Sequence, residues 1–343
     1  MSSGVGILEN GHDVAPASIE AITKDTKGIT LTNDNSTNDS VNEREDGSDC
    51  DGRGNRPLAG STYQKYENPI EGKPSPENTW EHADSSVFNL RVGPNYERNK
   101  QKAPSPPAFM EHVGVDLVVS DTRIDDFASR VHFPAAWKER ATGINGVPPI
   151  FVVNFQVPAE AVFTVFREIT DGVGYSLVLY FRMTDDTFEQ LANMSTKPLA
   201  PALSLFIKYL QEAPEADVDP KNPLPSPWRG RFKTMMHCRD IAQFNLPSFI
   251  TSYNAKPILI RQTGTLYRGE YYVEMDINVH RFGSVPKQAL NILKDRFHKM
   301  DIFMGFTIES REDNEMPETL FGCIALNRPI YHTAVKWRGD RDK

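Results

Sequence analysis

Cations at alternate positions are the first chemistry this sequence offers. In FNLRVGPNYERNKQK, residues 88–102, Arg98, Lys100 and Lys102 follow a Gly93-Pro94-Asn95 turn, and Arg91 precedes it. Every second side chain of an extended segment points to the same side, so these three would line one edge about 7 Å apart. Such a strip suits lipid phosphates, and Arg91 adds a fork that grips a phosphate or carboxylate with two parallel hydrogen bonds. The other reading of the same residues is a solvated edge strand whose lysines discourage pairing with foreign chains. PWRGRFK repeats the pattern, with Arg229, Arg231 and Lys233 alternating after Trp228. A tryptophan beside arginines at a loop edge fits a membrane interface or a partner surface, or else anchors the loop while its charges face water.

Catalytic signatures are lacking: the chain has no GxSxG, HExxH, P-loop or Gly-rich dinucleotide turn. His237 and Cys238 resemble half of a nucleophile pair, but neighbours on a strand point to opposite faces. Glu270, Glu274 and Asp276 would set three carboxylates on the wet face of a hairpin, within reach of a hard cation; no fourth ligand accompanies them, and a solvated face is the plainer reading. Asp116, inside the apolar VGVDL, needs a partner if buried, either an arginine or a backbone N–H. The residues read as a non-enzymatic chain with no cofactor and no metal.

These groups need elements to position them. AFMEHVGVDLVVSD, residues 108–121, is a long apolar strand stopped by Ser-Asp. IFVVNFQV at 150–157 and YSLVLYFRM at 175–183 are nearly continuous in apolar residues and read as central strands buried on both faces. PILIRQTGTLYRGEYYVEMDINV, residues 257–279, alternates Val273, Met275, Ile277 and Val279 with Glu274, Asp276 and Asn278, which predicts a hairpin with one buried and one wet face, turning at Arg268-Gly269. DIFMGFTIES and TLFGCIAL supply two closing strands. Helices are predicted over IDDFASRV (124–131), TDDTFEQLANM and PALSLFIKYLQE, and from a Ser284 cap to about Met300. PEADVDPKNPLPSPWRGR carries five prolines between Pro214 and Pro227 and reads as a surface loop. Strands outnumber helices without strict alternation, so the expected fold is a single α+β domain on an antiparallel-rich sheet with packed helices.

Composition divides the chain. Residues 1–57 hold no aromatic side chain and cannot bury enough apolar surface to offset chain entropy, so they read as a disordered, acidic and polar tail. Residues 58–107 read as an extended proline-rich arm anchored by Tyr63, Tyr66, Trp80 and Phe88. To Arg56 the tail has eleven acidic and five basic side chains, so the net −8 of the chain leaves only −2 for the remainder. A nearly neutral domain argues against nucleic acid as a partner, and an anionic ligand must then meet a local cluster of cations. The first thirty residues lack an apolar signal region, and no apolar run approaches the roughly 18 residues of a membrane span. Cys50, Cys238 and Cys323 are widely spaced and odd in number, as expected of free thiols in a reducing compartment.

Taken in order, FNLRVGPNYERNKQKAPSPPAFMEHVGVDLVVSD, IDDFASRVHFP, FVVNFQVP, YSLVLYF, AKPILIRQTGTLYRGEYYVEMDINVH and EMPETLFGCIALN resemble the C-terminal domain of the plant Enhanced Disease Resistance 2 family, over about Trp80 to Pro329. The corresponding domain is placed at 75–332. Those plant proteins combine this domain with a pleckstrin-homology domain and a START-type lipid-binding domain, associate with phosphoinositide-containing membranes, and restrain defence and cell death. The tail and arm here are too short and too polar to build either upstream domain. VHRFGSVPKQ, residues 279–288, is bulkier at Arg281, Phe282 and Lys287 than the run of small residues usual in the family. The resemblance implies a regulatory domain that touches a lipid or membrane surface peripherally; the lack of a signal region makes it cytoplasmic, and the spacing of the cations offers Arg91, Arg98, Lys100, Lys102, Trp228, Arg229, Arg231 and Lys233 as the lipid- or anion-binding set. A protein–protein interaction module without lipid binding is the alternative.

Overall fold

The computed structural model describes residues 56–69, 73–160, 171–213, 228 and 230–338. Residues 53–343 form one compact unit. The tail expected to be disordered lies outside the described residues, apart from its last two positions. The unit is α+β. In chain order its strands are β1 (Gln64–Lys65), β2 (Thr79–Glu81), β3 (Asn89–Arg91), β4 (Lys102–Pro104), β5 (Met110–Ser120), β6 (Ile150–Pro158), β7 (Gly174–Met183), β8 (Phe232–Cys238), β9 (Pro257–Leu259), β10 (Gly264–Arg268), β11 (Tyr272–Asn278), β12 (Asp301–Ile308), β13 (Leu320–Asn327) and β14 (Val335–Lys336). Its helices are α1 (Tyr96–Asn99), α2 (Ala135–Lys138), α3 (Asp185–Ala192), α4 (Pro201–Glu212), α5 (Ser248–Thr251) and α6 (Ser284–Lys294).

Two six-stranded sheets, ordered β1-β2-β13-β12-β8-β9 and β10-β11-β6-β7-β5-β14, enclose the main core, and β3-β4 is a separate ribbon. The core is aromatic. Phe321 of β13 lies 4.7 Å from Phe151 of β6 and 5.0 Å from Phe206 of α4, and Phe306 of β12 lies 5.5 Å from Phe181 of β7. Rings of this size fit only where backbone yields space. A Cβ on Gly322 would stand 2.6 Å from the Phe181 ring, and one on Gly305 would stand 2.9 Å from Phe88 on the opposite side of the same sheet. Alternation from Cys323 onward, broken by a bulge at Phe321 opposite Phe306 and Thr307, sorts β13 into two cores: Phe321, Ile324 and Leu326 face between the sheets, while Leu320, Cys323 and Ala325 face Phe88 and Leu90. Residues 58–107 are woven into this arrangement, supplying β1, β2 and the ribbon, with Tyr63, Trp80 and Phe88 buried.

Three expectations need correction. Residues 124–131 hold only a single 3-10 turn, Phe127–Arg130, because Asp126 takes a left-handed conformation (φ 50°) and Val131 is already extended. The helix expected from a Ser284 cap to Met300 is capped by Gly283 and stops at Lys294, and Phe297–Lys299 is a separate 3-10 turn. The β10–β11 hairpin has no wet face on β11: Glu274, Asp276 and Asn278 are buried. β11 is interior to its sheet, paired antiparallel to β10 and parallel to β6, and residues 122–131 cover its outer side. The 150–157 and 175–183 strands are central and buried on both faces, as their apolar runs require.

Candidate functional site

The ribbon places the basic residues. After Gly93-Pro94 the chain turns at Asn95 (φ 61°), makes one helical turn in α1, and ends it with Lys100 in the left-handed conformation (φ 52°), which reverses the chain into β4. The extended strip expected of Arg98, Lys100 and Lys102 does not form, since Arg98 lies on α1, Lys100 is its cap and Lys102 begins β4. All three are exposed. The reversal sets Lys102 directly opposite Arg91 across the ribbon. Like charges in that position repel, so the pairing requires anionic compensation.

Part of that compensation is Glu318, just before β13. Its side chain is only 2% exposed, and its Oε1 accepts from Arg91 Nε (2.9 Å), Arg91 Nη2 (2.5 Å), Lys233 Nζ (2.6 Å) and the Ser310 backbone N–H (3.1 Å). Glu309 stands further off, 3.9 Å from Arg91 and 4.0 Å from Lys233. Burial alone would raise the Glu318 carboxyl, but the hydrogen bond from Arg91 and the charge of Lys233 hold it below the usual carboxylate range. Burial depresses the Lys233 ammonium, with Glu318 opposing the shift and Arg91 adding to it. Lys233 spends one of its three N–H donors on Glu318. Lys102 has no ion pair among the described residues.

Arg91, Lys102, Lys233, Glu318, Tyr96 and Met235 share a small cleft of about 50 Å3 beneath the ribbon. Its aromatic wall is Tyr96, half-buried between the Arg91 guanidinium at 5.1 Å and the Lys100 ammonium at 5.4 Å. Three cations thus converge on a cleft lined by one carboxylate, with spare N–H groups at its floor and an unpaired ammonium at its rim. An anion of phosphate or carboxylate type matches this donor set.

The second basic group does not stand in water as an alternating strip. Arg231 is buried and bonds Glu315 (2.9 Å), and its guanidinium lies 4.8 Å from the Trp228 ring; Trp228 is half-buried against the main core. Lys233 belongs to the cleft, and Arg229 lies outside the described residues. The structure therefore brings together Arg91, Lys102 and Lys233, with Arg98 and Lys100 on the adjoining turn, and leaves Trp228 and Arg231 apart as an anchor. Sequence reasoning missed Glu318 and Tyr96; the carboxylate in MPETLFG adjoins an apolar strand, with no local sign that two distant cations would meet it.

Among the other candidates, His237 faces Phe303 and Phe88 while Cys238 joins the main core, so the two side chains diverge. Asp116 accepts from the backbone N–H groups of Gly60, Ser61 and Thr62 and from the Tyr180 hydroxyl, the backbone partnership its burial calls for. Glu274 and Asp276 are capped by backbone and amide N–H groups, so the three-carboxylate cation face does not exist. Among the described residues no group of three or more His, Cys, Asp or Glu side chains is arranged to hold a metal ion, and no helix is long and apolar enough to cross a membrane.

These features define an α+β domain whose ribbon-covered outer face carries a cationic cleft. The family model described as "Protein ENHANCED DISEASE RESISTANCE 2, C-terminal" matches residues 80–328, most of the chain, and the chain belongs to that family. The match begins at Trp80, the central residue of β2, and ends one residue after β13, so it contains the ribbon, the cleft and both main sheets apart from their edge strands β1 and β14. No solved structure matches the chain.

Proposed function

We propose that this regulatory domain is a non-enzymatic module that associates peripherally with anionic membrane surfaces through the cleft formed by Arg91, Lys102 and Lys233, with Arg98 and Lys100 of the α1 turn facing the same headgroup layer. The observation that carries the reading is the excess of cations over carboxylates in the cleft lining. The space between the sheets is filled by stacked rings, so the lipid is met at its headgroup and not swallowed by its chains. Cytoplasmic residence follows from this reading, as does the lack of any need for a cofactor.

Sedimentation with vesicles tests it. Wild type should bind vesicles containing phosphatidylserine at low salt, bind neutral vesicles weakly, and lose binding as salt rises, because screening shortens to about 10 Å at 0.1 M. Each cation near such a surface contributes on the order of 1 kcal/mol. The exposed triple variant Arg98→Glu, Lys100→Glu, Lys102→Glu should therefore lose at least tenfold in binding with its melting temperature kept. Equal binding by variant and wild type would overturn the reading. A second reading, a polypeptide partner, rests on Met236, Tyr253 and Ile258, which are exposed around the edge strand β9. No vesicle binding by wild type, together with a bound polypeptide that is lost on Ile258→Glu, would favour that surface.

A further inference from the structure

Behind the opposite sheet lies a second polar cluster that the cleft does not use. Glu274 and Asp276 sit two residues apart on β11, so both point to the outer face, and they are 0% and 2% exposed. Neither forms an ion pair among the described residues. Glu274 accepts from the backbone N–H groups of Phe127 (3.0 Å) and Ala128 (2.7 Å), and Asp276 from that of Asp126 (3.1 Å). These three bonds fasten the 3-10 turn to the sheet. The neighbouring strand β6 contributes two amides. Asn154 Nδ2 reaches Ile124 O, Glu274 Oε1 and Asp276 Oδ1, and Gln156 Nε2 reaches Ile124 O, Asp125 Oδ1 and Asp276 Oδ2.

Hydrogen counting exposes a deficit. Each amide nitrogen has two hydrogens and faces three acceptors. On the other side of the same group, Asn154 Oδ1 is fully buried and receives no hydrogen bond at all. Two buried anions side by side without a countercharge are relieved by one added proton, which one carboxyl donates to the other. The carboxyl groups of Glu274 and Asp276 are in hydrogen-bonding contact with each other; burial raises both, the Glu274 charge and hydrogen bond raise Asp276 further, and the hydrogen bond from Asp276 holds Glu274 lower. The charged and titratable groups around them come from every packed element: Arg123, Asp125 and Asp126 from the covering segment, Tyr272 from β11 and Tyr180 from β7, while β6 brings only amides. Arg123 is engaged by Asp125 at 2.7 Å.

We infer that Glu274 and Asp276 hold one proton between them in the folded domain and that this proton clasps residues 122–131 onto the sheet, so that its loss releases the segment. The same segment continues into His132, whose backbone bonds Pro57 and Ala59, so release also loosens the chain where it enters the domain. The clasp is independent of the cationic cleft and survives the failure of the membrane reading.

Hydrogen exchange of the full chain, corrected for the intrinsic base-catalysed rate, reads the clasp directly. The closed state keeps a proton that the open, hydrated pair gives up above the ordinary carboxylate range. The opening equilibrium for the Asp126, Phe127 and Ala128 amides should therefore rise about tenfold per pH unit until the folded pair itself titrates, and then level off. Asp276→Asn, which is neutral at every pH, should abolish that slope. Should that variant fail to fold, Glu274→Gln and the infrared carbonyl band of a protonated carboxyl in wild type give the same reading: the band is expected at neutral pH and should fade in alkali. A flat opening equilibrium in wild type, an unchanged slope in a folded Asp276→Asn chain, or no protonated carboxyl at neutral pH would overturn the inference.

Discussion

Replacing Glu318 by Gln removes the only fully buried anion between two cations, and the structure sets the size of the effect. Glu318 is 2% exposed and its Lys233 partner 5%, so neither charge is hydrated when the other is lost. Breaking a buried pair from one side costs roughly 3–5 kcal/mol, against about 0.2–1 kcal/mol for an exposed pair. Glu309, at 3.9–4.0 Å, softens but does not replace the loss. Lys233→Met should cost less, roughly 1.5–3 kcal/mol, because Glu318 keeps Arg91 and the Ser310 N–H and the apolar stem is preserved. The double variant should cost less than the sum by at least about 1 kcal/mol, since the orphaned ammonium is gone. Urea unfolding of the four proteins at neutral pH gives the cycle. The sign with pH is also fixed: the folded Glu318 carboxyl lies below its unfolded value, so its contribution is complete above the ordinary carboxylate range and is lost as pH falls through the folded value. The gap between wild type and Glu318→Gln should narrow in acid. A cost below about 1 kcal/mol for Glu318→Gln, or strict additivity in the cycle, would refute the account of a buried, charge-sharing carboxylate.

His112 gives an acid-side prediction: fully buried, 4.4 Å from Trp80 and 5.2 Å from Phe181, it is pushed well below 6.5 by burial. The unfolded chain takes up that proton first, so stability should fall with pH below 6.5, by at most about 1.4 kcal/mol per unit for this group, and the slope should shrink in His112→Phe when unfolding is measured at several pH values. Burial pushes the Cys323 thiol up to about 12, so a maleimide should label it in denatured but not native protein; rapid native labelling would misplace β13. Gly322→Ala should cost roughly 1–3 kcal/mol in thermal or urea unfolding, because its Cβ meets the Phe181 ring at 2.6 Å, and a neutral result would show that the two sheets can separate.

Apolar runs and their lengths were enough to find the strands at 110–120, 150–158, 174–183, 301–308 and 320–327 and the helices α3 and α4, because burial against a core imposes a period that each segment carries in itself. The same local logic found the turn at Gly93-Pro94-Asn95. It failed where a residue's partner lies far along the chain. Glu274 and Asp276 alternate with apolar neighbours just as a solvated face would, and only the 122–131 segment, about 150 residues earlier, makes that face interior. Arg98, Lys100 and Lys102 read as a straight strip because alternation assumes an extended chain, and the left-handed Asn95 and Lys100 bend it. Sequence by itself determined which residues were cationic, which segments were apolar and that any anion would need a local cluster in a near-neutral domain. Tertiary structure alone decided that Arg91, Lys102 and Lys233, up to 142 positions apart, share one cleft around Glu318, since a charge acts through distance in space and its pairing leaves no periodic trace along the chain.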